Sequence, residues 1–71
     1  MGYVGLKIKY ILAGERDIVA NWRSIIVDVG EQDLRQYGSN RYGYKWATRR
    51  VQEHHGDPEL GCHVFGIDRD G

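Results

Sequence analysis

Apolar and polar residues alternate along the first part of the chain. Leu6, Ile8, Tyr10 and Leu12 share one side of an extended backbone, and Lys7 and Lys9 share the other. A period of two with β-branched and aromatic residues predicts a strand over residues 3 to 12. Gly14 to Asp17 supplies a turn.

Residues 18 to 29 carry two overlapping patterns. Ile18, Trp22, Ile25, Ile26 and Val29 fall at helical spacing, with Asp17 as N-cap and Gly30 as C-cap residue. Ile25, Val27 and Val29 also alternate with Ser24, Ile26 and Asp28. Ile18, Ala20 and Trp22 have the opposite parity, so the strand reading needs a bulge near residues 22 to 24. Six of these twelve residues are Val or Ile, and their stiff side chains favour the strand. The short turn before it suits a hairpin with the first strand.

Glu31 to Tyr37 has room for one helical turn, and Gly38 to Gly43 reads as a loop. From Tyr44 to His55 the pattern is helical, with Ala47, Val51 and His54 or His55 on one face. Gly56 and Pro58 stop that helix. Leu60 to Ile67 alternates again. Cys62, Val64 and Gly66 would face one way, and His63, Phe65 and Ile67 the other. Asp68 to Gly71 reads as a polar tail. The order is β-β-α-β, a small two-layer α+β domain with an antiparallel sheet and one helix packed on a face. A helix at 18 to 29 would make it β-α-α-β.

Seventy-one residues fit a single domain. A chain this short buries only about 60% of the surface its unfolded form exposes. Its 41% hydrophobic and 28% charged residues are ordinary for a folded domain. Cys62 is the lone cysteine, so no disulfide forms within the chain, and a reducing compartment is expected. No apolar run has the length of a membrane helix. Lys7 and Lys9 lie inside the first apolar run, unlike the charge of a secretory leader, and Leu6 stands where a myristoylation signal wants Ser or Thr. A cytoplasmic location is therefore the expectation.

Charge changes the picture more than composition does. The net charge is zero, yet Arg35 to Arg50 holds five of the ten basic residues and no acid. The rest of the chain carries five bases against ten acids. The same stretch contains Tyr37, Tyr42, Tyr44 and Trp46. Arginine beside aromatic rings is the composition of protein hot spots. It also suits nucleic acid, where each ring stacked on a base contributes on the order of 1–3 kcal/mol. The blander reading makes Tyr44 and Trp46 partly core and leaves the arginines in solvent or paired with acids elsewhere. The candidate contact residues are Arg35, Tyr37, Arg41, Tyr42, Lys45, Trp46, Arg49 and Arg50. No P-loop, dinucleotide fingerprint or zinc-finger spacing occurs.

His54, His55, Cys62 and His63 are potential zinc ligands, but their spacing is poor. Adjacent helix residues point about 100° apart, and adjacent strand residues face opposite sides. At best one of each pair converges, so no metal is assigned. Cys62 with a histidine base lacks an orienting third group and an oxyanion site.

Gly61-Cys62-His63-Val64-Phe65, followed by Asp70-Gly71, resembles the Gly-Ser-His-x-x-aromatic segment of the HicA-type mRNA interferase toxins. The resemblance implies a catalytic His63 on a strand of a small RNA-binding fold. It covers about eleven residues. Cys62 replaces the expected serine, and Phe65 comes one position early. Asp57, Pro58 and Glu59 stand where basic residues precede the motif, and the family continues with a further helix.

The expectation is a non-catalytic binding protein without a cofactor. Its size and lack of motifs suit an inhibitor or adaptor of the kind encoded by phages and mobile elements, such as anti-CRISPR proteins. A protein is the favoured partner. Nucleic acid is the alternative, a His63 ribonuclease the remote one, and a homodimer is compatible with so small a core.

Overall fold

The computed structural model describes residues 3–33 and 41–70. Strand β1 (Tyr3–Leu12) lies at the centre of a three-stranded antiparallel sheet, between β2 (Arg23–Gly30) and β3 (Cys62–Asp70). Helix α1 (Arg41–His55) packs on one face, nearest β3. The chain is thus the small α+β domain that the alternation predicts, with a β-β-α-β order.

The registers explain which side chains form the core. Ile8 lies between Ile25 on β2 and Ile67 on β3, and Tyr10 between Arg23 and Val64. Ile8 is fully buried and Tyr10 is 2% exposed. Ile8, Tyr10, Ile25, Ala47 and Val51 form one cluster, with Leu12, Val27, Trp46, Cys62, Val64 and Ile67 packed around it. The Tyr10 hydroxyl lies 2.8 Å from Nε2 of exposed His55, so this buried side chain has a hydrogen-bond partner at the edge of the core.

Three local expectations change. The reversed parity of residues 18 to 22 comes from a 3-10 turn at Val19–Asn21, not from a bulge at 22 to 24, and β2 starts only at Arg23. The bulge lies in β3 instead. Lys9 pairs with Gly66 and Tyr10 with Val64, so Phe65 is the extra residue. The shift brings Ile67 onto the same core face as Cys62 and Val64, where strict alternation had turned it outward. Pairing also continues to Asp70: Asp68 lies opposite Lys7 and Asp70 opposite Gly5, so residues 68 to 70 are strand and not a loose tail.

Helix α1 begins at Arg41, inside the stretch that reads as loop. Gly43, Ala47 and Val51 are all buried, at i, i+4 and i+8. Gly43 therefore continues the core stripe by one turn, and burial of that stripe outweighs the loop composition. The helix ends as its sequence predicts. Gly56 adopts φ +76, its N–H donates to Glu53 O at 3.1 Å, and Asp57 N–H donates to Gln52 O at 3.1 Å. This is the Schellman pattern, in which glycine takes the left-handed residue. Glu31–Asp33 forms a 3-10 turn, and the rest of the expected turn through Tyr37 lies outside the described residues.

This packing sets the cost of substitution. Ile8→Ala empties the centre of the cluster and is expected to lose about 2–5 kcal/mol in urea unfolding. Tyr10→Phe removes the bond to His55 but keeps the ring, and is expected to lose about 0.5–1.5 kcal/mol. An equal loss for the two would contradict a core centred on Ile8.

Candidate functional surface

The solvent side of α1 carries the basic residues. Lys45 and Arg49 are exposed and one turn apart, so their side chains rise from the same stripe. Neither has an ion-pair partner among the described residues. Arg41 occupies the preceding position of that stripe by helical spacing. The side chains of Arg41 and Tyr42 are outside the described residues, as are Arg35 and Tyr37 entirely.

Trp46 and Arg50 are placed differently from Lys45 and Arg49. Trp46 is half-buried against the core. The Arg50 guanidinium lies 5.9 Å from the Trp46 ring centroid, and its Nη2 donates to Glu53 Oε1 at 2.8 Å. That separation is within the range of a cation–π contact. Arg50 Nε is buried and makes no hydrogen bond to a described residue. These two candidates are tied into the fold, and the free charge lies at Lys45 and Arg49. Tyr44 is half-exposed, and its carbonyl accepts from the Thr48 hydroxyl at 2.9 Å.

The residues with potential chemistry are dispersed. His54 and His55 have ring centroids 5.5 Å apart, and His55 is engaged by Tyr10. His63 is exposed on the sheet face away from α1 and makes no hydrogen bond to a described residue. Among the described residues, no three of His, Cys, Asp and Glu come together as a metal site would require. Gly61 of the toxin-like segment has a packing role: a Cβ there would sit 2.8 Å from Ala13 Cβ. Ala13 N–H donates to Gly61 O at 2.9 Å, so the backbones meet closely beyond the end of the strand ladder. Cys62 is half-buried on the core face, and burial pushes its thiol above the usual value. Thr48 acts in the opposite sense and more weakly.

A second exposed surface lies on the sheet face away from the helix. Trp22 and Phe65 stack there, with centroids 5.1 Å apart and planes 21° from parallel, and each is 41% exposed. Trp22 Nε1 also donates to Asp17 Oδ1 at 3.0 Å. One ring stands just before β2 and the other on β3, and they meet on this same face over β1. Ile11, which lies on this face, is only 3% exposed. Hydropathy gives no hint of this pair, because the two residues are far apart in sequence. The one usable signal is the run Ile25-Ile26-Val27, which puts apolar residues on both faces of β2. Charges on this outer face are mixed: Lys7 and Lys9 stand with Asp28 and Asp68.

No family model, curated protein or solved structure matches the chain. Among the described residues, no helix is long and apolar enough to cross a membrane.

The raised Cys62 pKa has a defined sign. The folded chain keeps its thiol proton at a pH where the unfolded chain, with the ordinary thiol value, releases it. Stability from this group is complete below the unfolded value and falls as pH rises through it. Alkylation of native Cys62 at pH 8 is expected to be slower than in denaturant, as followed by mass spectrometry. Equal rates would show an accessible thiol.

Proposed function

We propose that the protein acts by binding, and that the solvent face of α1 docks on an acidic surface of a partner protein. The observation that carries this reading is the pair Lys45 and Arg49. Both are exposed, they lie one turn apart, and no described acid neutralises them. α1 has four Arg or Lys residues and one acid, Glu53, which is committed to Arg50. Positive charge is therefore concentrated on one helix while acids dominate the remainder of the chain. Such a field orients an approaching acidic surface toward the helix. Half-exposed Tyr44 lies next to this stripe and adds an aromatic contact of the kind found in hot spots.

A small domain of this kind suits an inhibitor or adaptor. It changes a larger protein by occupying a surface and supplies no chemistry of its own. The mixed charges of the outer sheet face make it a poorer match for a strongly charged partner. The α1 row is also compatible with phosphates, and the test separates the two.

The double variant Lys45→Glu, Arg49→Glu leaves the core untouched. It is expected to weaken capture of a specific protein from the native host's lysate by about tenfold, roughly 1–2 kcal/mol of contact energy. Its melting temperature should match the parent's. Unchanged capture would reject the α1 face. A uridine oligonucleotide measured by fluorescence anisotropy covers the other case. If it binds and the double variant lowers the log–log salt slope by about 2, the partner is nucleic acid.

A further inference from the structure

The two edges of the sheet are built differently. β3 carries the bulge at Phe65 and has Asp68, Arg69 and Asp70 along its second half. Bulges and charges of this kind discourage another strand from pairing. β2 has no bulge, and its charges, Arg23 and Asp28, leave the stretch from Ser24 to Val27 uncharged. Its central residues 24–29 read Ser-Ile-Ile-Val-Asp-Val, without proline, glycine or lysine, and its register with β1 is unbroken from Gly30 to Arg23. No described residue pairs with its outer backbone groups. Ile26 on this strand is 51% exposed. α1 leans toward β3, which leaves an open groove of about 460 Å³ beside residues 24–27 of β2, with Arg50, Glu53 and His54 on its helical wall.

We infer that β2 is a self-association edge, and that two copies of the chain pair antiparallel through β2 about a two-fold axis at Ile26. The pleat limits the choice of register. Residues directly opposite each other share a face, so only registers that keep Ile25 and Val27 on the helix side are allowed. Centring the axis on Ile26 sets Ile26 against Ile26 of the second copy on the outer face. Ile25 then meets Val27 on the inner face, twice by symmetry, and Ser24 meets Asp28 on the outer face, where a hydroxyl can donate to a carboxylate. Shifting the centre to Ile25 or Val27 sets Ile26 against Ser24 or Asp28 and loses the apolar match. The sequence around Ile26 is therefore complementary to its own reverse. A strand from an unrelated protein would meet the open edge but not this symmetry.

Pairing would double the three-stranded sheet and place both copies of α1 on one side of it. The groove beside each β2 would merge over the seam. The α1 docking face is separate from this edge, so the inference extends the proposed function without depending on it.

Sedimentation velocity of the full chain, from low to high micromolar concentration, provides the test. The parent is expected to approach twice the chain mass. Ile26→Lys, on an exposed site, is expected to restore the monomer mass with an unchanged far-UV spectrum. The register has its own readout: Ile26→Cys in a Cys62→Ser background is expected to form a covalent dimer on mild oxidation. Opposed Cα atoms in an antiparallel pair lie within disulfide reach. A parent that stays monomeric at every concentration overturns the inference. So does a dimer that Ile26→Lys leaves intact, a ladder of higher masses in place of one dimer, or a β2 edge that pairs only with a strand of another protein.

Discussion

The whole fold depends on β1 having a partner on each side. Ile8 touches both neighbours through its register, with Ile25 on one flank and Ile67 on the other, and the helix closes over it with Ala47 and Val51. A chain of this length can fill only one such layer. Everything that contributes to the cluster under the helix must therefore reach the same face of β1, and buried Ile11 is left to the outer face. The 3-10 turn before β2 and the bulge in β3 both serve that requirement. Each corrects the parity of a segment whose plain alternation would send an apolar residue to the wrong side.

This requirement also explains how far the sequence could be read. β1 was legible because its two faces differ in kind, Leu, Ile and Tyr against Lys. β2 was legible as a strand from its Val and Ile content. Its start was not, because a 3-10 turn leaves no periodic signature in three residues. The bulge was hidden by Gly66, which has no side chain to declare a face, so Ile67 took the parity of Phe65 and His63. The start of α1 was hidden by composition: Gly43 looked like loop, yet it stands four residues before Ala47 and is buried with it. The C-terminal end of the helix was legible, because Gly56 and Pro58 leave the backbone few alternatives.

The candidate surface was legible only as a block of charge. The sequence placed Lys45, Trp46, Arg49 and Arg50 together. It offered Trp46 as partly core, but could not say that the ring draws Arg50 over it while Lys45 and Arg49 have no ion-pair partner among the described residues. That division depends on which side of the helix meets β3, a tertiary fact. The Trp22–Phe65 stack was invisible for a related reason. The two rings are neighbours only because β1 lies between β2 and β3 and lets them meet above it.

The bulge in β3 finally links the core to the edges. It brings Ile67 inward, and the extra residue it creates is Phe65, which reaches out to Trp22. The same irregularity breaks the flat row of donors and acceptors that another strand would need, so building the core also blunts the β3 edge. β2 needs no such correction, because the preceding 3-10 turn has already set its parity. Its ladder with β1 is therefore regular throughout, and its outer edge inherits that regularity. The difference between the two edges thus follows from how each strand solves the parity problem posed by β1. The edge left unpaired by the described residues falls on the side that α1 does not cover, because the helix packs nearest β3.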